Sequence, residues 1–185
     1  NGYGDANGNN HPHVDQHAIT FDPHMRGSVY VGNDGGMMHS MDSGRSYQPR
    51  NTGLAITLFY GMASVDDDRS RIAGGTQDNG TLFTSGDVLW DTLQGGDGMT
   101  TIIDPRDPAT IYGTGPNGDL FRVDTRTGSS RRITSGINMS EDCAWIAPLI
   151  HEPTTTTTLY TARRRVYRTD SRGDQWQPIS PFFSG

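Results

Sequence analysis

Three aspartates, Asp34, Asp78 and Asp97, stand beside glycines in short polar segments of the chain. Two facing carboxylates can cleave a glycosidic bond, with retention at a separation of about 5–5.5 Å or with inversion at about 6.5–9.5 Å. Asp-Gly and Asp-Asn-Gly are also ordinary turn sequences, in which the aspartate accepts backbone N–H groups. The three aspartates are therefore our candidate catalytic residues, with turn capping as the alternative role.

Histidine and aspartate alternate near the start of the chain, at positions 11, 13, 15 and 17. On a β-strand these positions point to one face, and imidazole with carboxylate suits a zinc-like ion. A straight strand spreads four such residues over about 20 Å, which is too far for one ion. Three interpretations stay open: a two-ligand metal site, a contact to a ligand, or hydrogen-bonded histidines in an ordered segment. We predict no bound metal and no cofactor, and we count His13, Asp15 and His17 as candidate ligand-binding residues.

The composition excludes several functional classes. The chain has 185 residues, a net charge of −6 and 15 basic residues, all of them arginine. An acidic chain without a basic tract is not expected to bind nucleic acid, and no apolar run reaches the roughly 18–20 residues of a membrane span. A single cysteine, Cys143, cannot build a disulfide framework. Strong helix formers are scarce, which favours strands and turns.

A fourfold repeat organises the sequence. In three copies a predicted strand ends in an acidic residue, and the next strand carries a tyrosine at one constant spacing from it. The acidic residue and the tyrosine stand at positions 22 and 30, 104 and 112, and 152 and 160, and a looser copy lies between the first two. The second-strand residues recur at similar intervals along the chain, at Tyr30, Ile72, Tyr112 and Tyr160. A period of about 40–50 residues is typical of a four-stranded propeller blade. We therefore predict an all-β fold, a β-propeller with about four antiparallel four-stranded blades that are part of a larger ring.

The predicted blades cover approximately residues 17–57, 58–98, 99–143 and 144–185. Residues 1–16 are predicted to be a loop or linker from a preceding blade. Fourth strands are expected at 46–49, 88–91, 131–134 and 176–179. Because closed propellers usually have four to eight blades, the predicted partners include further blades or another subunit.

Residues 40–47 match the Asp-box pattern, Ser/Thr-x-Asp-x-Gly-x-x-aromatic. In such a turn Asp42 would accept backbone N–H groups, Gly44 would take a positive φ and Tyr47 would tuck under the turn. Residues 169–176 have the same frame with Ser171 in place of the aspartate. Together with the segments at 13–17, 30–36, 74–80, 95–98 and 166–180, these residues resemble Asp-box (BNR-repeat) propellers of the sialidase-like and sortilin-like kind, commonly labelled bacterial secreted glycosyl hydrolases.

That resemblance implies a propeller fold and an extracellular or periplasmic protein. The segment Gly32–Gly36 also resembles the catalytic turn of xyloglucan-degrading propeller glycosidases, although one residue of that turn is missing and Asn33 replaces a threonine. By this resemblance, Asp34 would be the catalytic aspartate.

Propeller topology places the turns between second and third strands on the same rim as the links between blades. Arg163 and Arg164 could hold an acidic sugar by bidentate contacts, or they could lie along a solvated strand edge. Trp145 is the candidate for stacking on a sugar ring. The residues predicted on this rim are Asp34, Gln77, Asp78, Asp97, Asn117, Glu141, Asp142 and Arg163–Arg165.

Two functions follow from these features. The first is an extracellular binding or structural scaffold that recognises a glycan or protein partner on this rim, through the candidate ligand-binding residues His13, Asp15, His17, Gln77, Trp145, Arg163 and Arg164. The alternative is a propeller-type glycoside hydrolase that uses a pair drawn from Asp34, Asp78 and Asp97. We adopt the first, and enzymatic activity stays open at this point.

Overall fold

The computed structural model describes residues 11–12, 15–54 and 56–183, which include sixteen β-strands and one 3-10 turn. They form two compact units, the first ending at Leu58 and the second beginning at Phe59. His13 lies outside the described residues. No helix among the described residues has the length and apolarity that a membrane crossing requires.

The first unit contains sheet 1, a four-stranded antiparallel sheet whose strands are ordered as in the chain. Strand β2 alternates buried and half-buried residues, the pattern of a strand with one face in a core. Pro49, which cannot donate to a sheet ladder, lies in the outer strand, where proline is tolerated. The strands are β1 (Gln16–Phe21), β2 (Val29–Asn33), β3 (Gly36–Ser40) and β4 (Gln48–Pro49).

The second unit contains three further sheets of the same kind, each antiparallel and each built from consecutive strands. Sheet 2 consists of β5 (Phe59–Val65), β6 (Asp68–Thr76), β7 (Gly80–Ser85) and β8 (Asp91–Gln94). Sheet 3 consists of β9 (Thr101–Ile103), β10 (Thr110–Thr114), β11 (Leu120–Asp124) and β12 (Ser129–Arg132). Sheet 4 consists of β13 (Leu149–His151), β14 (Leu159–Ala162), β15 (Val166–Thr169) and β16 (Gln177–Pro178).

Two apolar clusters fill the second unit. Sheets 2 and 3 contribute Val65, Ala73, Phe83, Ile103 and Ile111 to one cluster. The other joins sheets 3 and 4, and its largest member, Trp176, is buried and donates its indole N–H to the carbonyl of Ile133 at 2.7 Å. The sequence-based prediction of an all-β fold with about four antiparallel four-stranded sheets is confirmed. The second cluster consists of Tyr112, Leu120, Ile133, Ile137, Leu149, Leu159, Tyr167 and Trp176.

An arginine also connects sheets 3 and 4. Arg172 lies in the β15–β16 turn, and its guanidinium donates to the hydroxyl of Tyr112 at 3.1 Å and to the carboxylate of Asp104 at 3.0 Å. The same nitrogen that bonds to Asp104 reaches Asp107 Oδ2 at 3.2 Å and Thr110 Oγ1 at 3.1 Å. The side chain of Asp104 is fully buried. A charged pair of this kind needs both partners, since either one alone would be an uncompensated charge.

One prediction about strands is wrong. The fourth strand of sheet 2 begins at Asp91 rather than at Val88, because Thr84 Oγ1 bonds to the Asp87 carbonyl at 2.8 Å and holds residues 84–87 in a turn. Val88 is consequently 96% exposed. The one-strand arrangement considered for the alternating residues 11 to 17 is not present, since β1 begins only at Gln16 and His11 lies outside any strand.

The turn at residues 40–47 has the geometry expected from its sequence. Asp42 Oδ1 accepts the backbone N–H groups of Arg45 at 3.0 Å and Ser46 at 2.9 Å, and Oδ2 accepts the Ser46 hydroxyl at 2.7 Å. Gly44 has φ +86°, a conformation that favours glycine. In the corresponding turn of sheet 4 the Ser171 hydroxyl accepts one N–H, from Gln175 at 3.0 Å.

The pKa of Asp42 is lowered to about 2, first by the hydroxyl of Ser46 and then by the backbone N–H of that residue. Because the folded-state pKa is depressed, ionised Asp42 supports the turn above its ordinary value of 3.8, and this support is lost as the pH falls towards 2. We expect Ser46→Ala to move the pKa of Asp42 back towards 3.8, measured by carboxyl ¹³C NMR titration. Ser43→Ala is the matched control and is expected to leave it near 2, because the groups that lower this pKa belong to Ser46, Ser40 and Arg45. An unchanged pKa in Ser46→Ala would contradict the assignment.

Candidate functional site

In the first unit, two of the predicted site residues form an ion pair. His17 lies at the start of β1 and Asp34 lies in the β2–β3 turn, and the His17 ring contacts the Asp34 carboxylate. The backbone N–H of Asp34 also donates to the Asp15 carbonyl at 3.3 Å. The hydrogen bond to Asp34 is the main reason that the pKa of His17 is raised above its ordinary value. His17 and Asp34 are thus held together, and the pair favours the protonated imidazole.

In the second unit, the structure also brings together Asp78 and Asp97, as the predicted topology requires. Asp78 lies in the β6–β7 turn with φ +58°, and its backbone N–H donates to Asp97 Oδ1 at 2.8 Å. The link between β8 and β9 carries Asp97, and it is fixed to sheet 2 by the Gly98 N–H, which donates to the Thr76 carbonyl at 3.0 Å. Gln77 belongs to the same turn, and its carbonyl accepts from the Asn79 side chain at 3.0 Å. The Asp97 carboxylate therefore has a defined position.

Asp97 lines a cleft of about 750 Å³ between the β8–β9 link and sheet 3. Gly95 and Gly96 have no side chains, so the backbone of the link is exposed to the cleft there. The opposite wall of the cleft is formed by the β10–β11 turn and β12. Amide, carboxylate and guanidinium groups line parts of its walls, while Phe121 is largely buried. The polar side chains of the lining are Gln94, Asp97, Asp119, Ser130, Arg131 and Arg132.

Of the polar residues of this cleft, sequence reasoning singled out only Asp97, and those it missed include Asp119 and Arg132. They form an ion pair between the Asp119 carboxylate and Arg132 Nε, and both side chains are more than half exposed. Asp119 follows the 3-10 turn Pro116–Gly118 and precedes β11. The signal available in the sequence was the polar residue directly after the Pro-Asn-Gly turn, on the rim already predicted to carry the site.

The other predicted rim residues gather near the link between sheets 3 and 4. Trp145 is 50% exposed, and its carbonyl accepts the N–H of Asn117 at 3.1 Å. The Arg163 guanidinium donates to the carbonyls of Asn117 at 2.8 Å, Met139 at 3.1 Å and Glu141 at 2.7 Å. Arg163 therefore ties this link to the β10–β11 turn. Arg164 lies exposed at the tip of the β14–β15 turn.

Glu141 is a buried carboxylate in the same link. Its Oε1 accepts from Arg165 Nη2 at 2.6 Å and from the Tyr167 hydroxyl at 2.8 Å. Burial acts to raise the pKa of Glu141, but the bonds from Arg165 and Tyr167 outweigh it and the pKa is lowered. Arg165 also stacks on the Phe182 ring, with the guanidinium carbon 4.6 Å from the ring centroid. Arg165 and Tyr167 thus satisfy Oε1 of Glu141, while its Oε2 is buried without a hydrogen-bond partner among the residues that the structure describes.

Comparisons with known proteins support the fold. No family model and no curated protein matches the sequence. An ancestral GH74 enzyme of known structure is similar over 90% of this chain and 24% of its own, with 19% identity and a TM-score of 0.55. The extracellular domain of a one-component system from B. thetaiotaomicron is similar over 92% of this chain and 22% of its own, with 16% identity and a TM-score of 0.53.

A structure of YCF48 bound to D1 peptide is similar over 86% of this chain and 55% of its own, with 13% identity and a TM-score of 0.51. The chain thus spans about a quarter to a half of the proteins it resembles. At these identities the similarity bears on the fold, and it confirms that the four sheets are β-propeller blades.

Proposed function

We propose that the protein is a carbohydrate-binding propeller that holds an oligosaccharide in the cleft between the β8–β9 link and sheet 3. The observation that carries this proposal is the set of polar side chains in the cleft: the Asp97 carboxylate, the Gln94 amide and the Asp119–Arg132 pair all line one space of about 750 Å³. A sugar hydroxyl both donates and accepts hydrogen bonds, so it needs acceptors and donors side by side. Carboxylates beside guanidinium groups supply both.

The charged and amide side chains of the cleft favour a sugar over a peptide as the ligand. Peptide and protein partners are usually anchored by aromatic or aliphatic side chains in desolvated pockets, whereas Phe121 is largely buried beneath this cleft. The two glycines of the link, Gly95 and Gly96, allow a ligand to approach the backbone closely. The exposed indole of Trp145 is a second contact surface, which supports stacking on a sugar ring along the same rim.

A glycoside hydrolase is the second candidate, and one observation favours it. Asp97 and Asp119 both line the cleft, and paired carboxylates are the groups that glycoside hydrolysis needs. Asp97 is held by the Asp78 N–H, so Asp78 would act as a positioning residue. Under this alternative the wild-type protein would release reducing ends from β-glucans or xyloglucan, and Asp97→Asn would abolish the release.

Calorimetric titration against cello-, xylo- and xyloglucan-derived oligosaccharides tests the proposal. We expect Asp119→Ala to weaken binding about 10-fold or more, because a hydrogen bond to a charged group contributes about 1.5–3 kcal/mol. Asp124→Ala is the matched control, since Asp124 is another aspartate paired with an arginine, Arg126 at 2.8 Å, and lies outside the cleft. No binding across the panel, or equal losses in both variants, would overturn the proposal. Binding without release of reducing ends would count against the hydrolase.

We further propose that the protein works outside the cytoplasm. The Asp-box-like turn at residues 40–47, with its aspartate and glycine in the roles expected of that motif, supports this location. A plant or bacterial polysaccharide would be accessible there as a ligand.

A further inference from the structure

The contact between sheets 3 and 4 shows how this chain receives an arginine from a neighbouring blade. Sheet 3 supplies an acid in the β9–β10 loop, Asp104, and a tyrosine in β10, Tyr112. Arg172 from the turn of sheet 4 donates to both. Arg122 in β11 completes the site, because its guanidinium donates to the carbonyl of Arg172 at 2.7 Å. The turn is thus recognised through its side chain and its backbone.

Sheet 4 has residues of similar types to those that bind Arg172 in sheet 3, and they stand at the same positions in the sheet. In sheet 3 Tyr112 is paired with Ile102 on one side and Arg122 on the other. In sheet 4 Tyr160 is paired with Ile150 and Arg168. The spacing between the acid and the tyrosine is the same in both sheets (104 to 112, 152 to 160). The spacing between a threonine and the tyrosine is also the same (110 to 112, 158 to 160). Ile102, Asp104, Thr110, Tyr112 and Arg122 therefore correspond to Ile150, Glu152, Thr158, Tyr160 and Arg168.

The face of sheet 3 around Tyr112 is covered, and the corresponding face of sheet 4 around Tyr160 is not fully covered. Tyr112 is fully buried under the turn of sheet 4, whereas its counterpart Tyr160 is partly exposed and Ile150 is 58% exposed. The Tyr160 hydroxyl donates to Glu152 Oε2 at 3.1 Å, and Arg168 Nε donates to Asp170 at 3.0 Å. A cleft of about 290 Å³ is lined on this face by Arg168, Asp170, Ser171, Gln175, Gln177 and Ile179.

We propose that this face of sheet 4, defined by Ile150, Glu152, Tyr160, Arg168 and Ile179, is a docking surface for the turn of another propeller blade that presents an arginine directly before a glycine. The Glu152 carboxylate and the Tyr160 hydroxyl would accept from the incoming guanidinium, as Asp104 and Tyr112 do from Arg172. Arg168 would donate to the backbone carbonyl of that arginine, as Arg122 does. Ile150 and Ile179 would lose contact with water on docking, which favours association.

Charge and chemistry favour this occupant over a purely apolar one. Glu152 and Asp170 both lie on this face, so an arriving cation would be attracted. Arginine in particular fits, because its planar fork can donate to a carboxylate and a hydroxyl at once. The occupied site on sheet 3 of the same chain provides the geometry that this surface repeats. The inference is independent of the sugar-binding cleft, which lies between sheets 2 and 3.

NMR titration with a backbone-cyclised peptide of residues 166–179 tests this surface, because that hairpin contains the Arg-Gly turn. We expect saturable shifts at Tyr160, Arg168 and Ile150 with a Kd of about 1 mM or tighter. A peptide with methionine in place of its turn arginine is expected to bind about 10-fold more weakly or worse. In the protein, Glu152→Gln and Tyr160→Phe should each weaken binding several-fold, while Asp124→Asn, on the neighbouring sheet, should not.

Several results would overturn the inference. Shifts confined to Tyr112 and Asp104 would mean that the peptide only displaces the turn already bound there. If the methionine peptide bound with the same affinity as the arginine peptide, the guanidinium would not contribute to docking. No saturable shift up to about 5 mM would rule out the docking surface. Concentration-dependent shifts at Tyr160 without any peptide would instead support it, with the Arg172-Gly173 turn of a second copy of this chain as the occupant.

Discussion

Arg172→Met is expected to lower the free energy of unfolding by about 2–4 kcal/mol. The substitution leaves the fully buried Asp104 carboxylate without the guanidinium at 3.0 Å, and it removes the bond to Tyr112. Because the Arg172 side chain is 35% exposed, we place the loss below the upper end of the range for buried pairs. Denaturation followed by tryptophan fluorescence measures it, and Tm should fall by about 5–12 °C.

Arg126→Met is the matched control, since Arg126 reaches the same Asp107 from the solvent side at 3.3 Å and is 58% exposed. We expect it to cost less than about 1 kcal/mol. In the double variant Arg172→Met with Asp104→Asn, the loss should be smaller than the sum of the single losses, because no buried charge is left unpaired. Equal effects at Arg172 and Arg126 would show that the contact between sheets 3 and 4 is only a surface ion pair.

Gly75→Ala is the second substitution with a large expected effect. Gly75 lies in β6 directly against the link to sheet 3, and an added Cβ would overlap the Met99 carbonyl oxygen and lie 2.5 Å from the Gly98 carbonyl carbon. Both obstacles are backbone, so the link must shift. We expect a loss of about 2–4 kcal/mol, and a weaker sugar affinity, because Asp97 precedes Gly98. Denaturation and calorimetric titration measure the two effects.

Gly95→Ala provides the comparison within the same link. A Cβ at Gly95 would have no atom within 4 Å, and the residue has no positive φ. We expect stability to change by less than about 1 kcal/mol, with a small gain because the unfolded chain loses freedom. If Gly75→Ala were as harmless as Gly95→Ala, the close approach between β6 and the link would not be important for the fold.

The strand pattern was predictable because it depends on local chemistry. The constant spacing between acid and tyrosine located β9 with β10 and β13 with β14, since each pair is joined by a short loop. The start of β8 was harder to predict, because Val88 and Leu89 are apolar and look like a strand. The bond from Thr84 to Asp87 extends the turn instead, and apolarity alone cannot reveal that.

The candidate site was predictable only in part. Asp78 and Asp97 were expected on one rim from topology, and a 2.8 Å hydrogen bond now connects them. The role of Arg172 was not predicted, since it occupies a variable position of a turn motif. Its partners Asp104 and Tyr112 lie far earlier in the chain. Contacts over such separations depend on how whole sheets pack, which a periodic pattern does not encode.

In each of the four sheets, the strands are consecutive in the chain. A growing polypeptide can therefore close each sheet as soon as its own residues leave the ribosome, without waiting for distant sequence. Arg172 comes from the last hairpin of sheet 4, yet it joins Asp104 of sheet 3. Formation of this contact would be the step at which two independently closed sheets become one cooperative unit, and it can occur only after synthesis has passed Arg172.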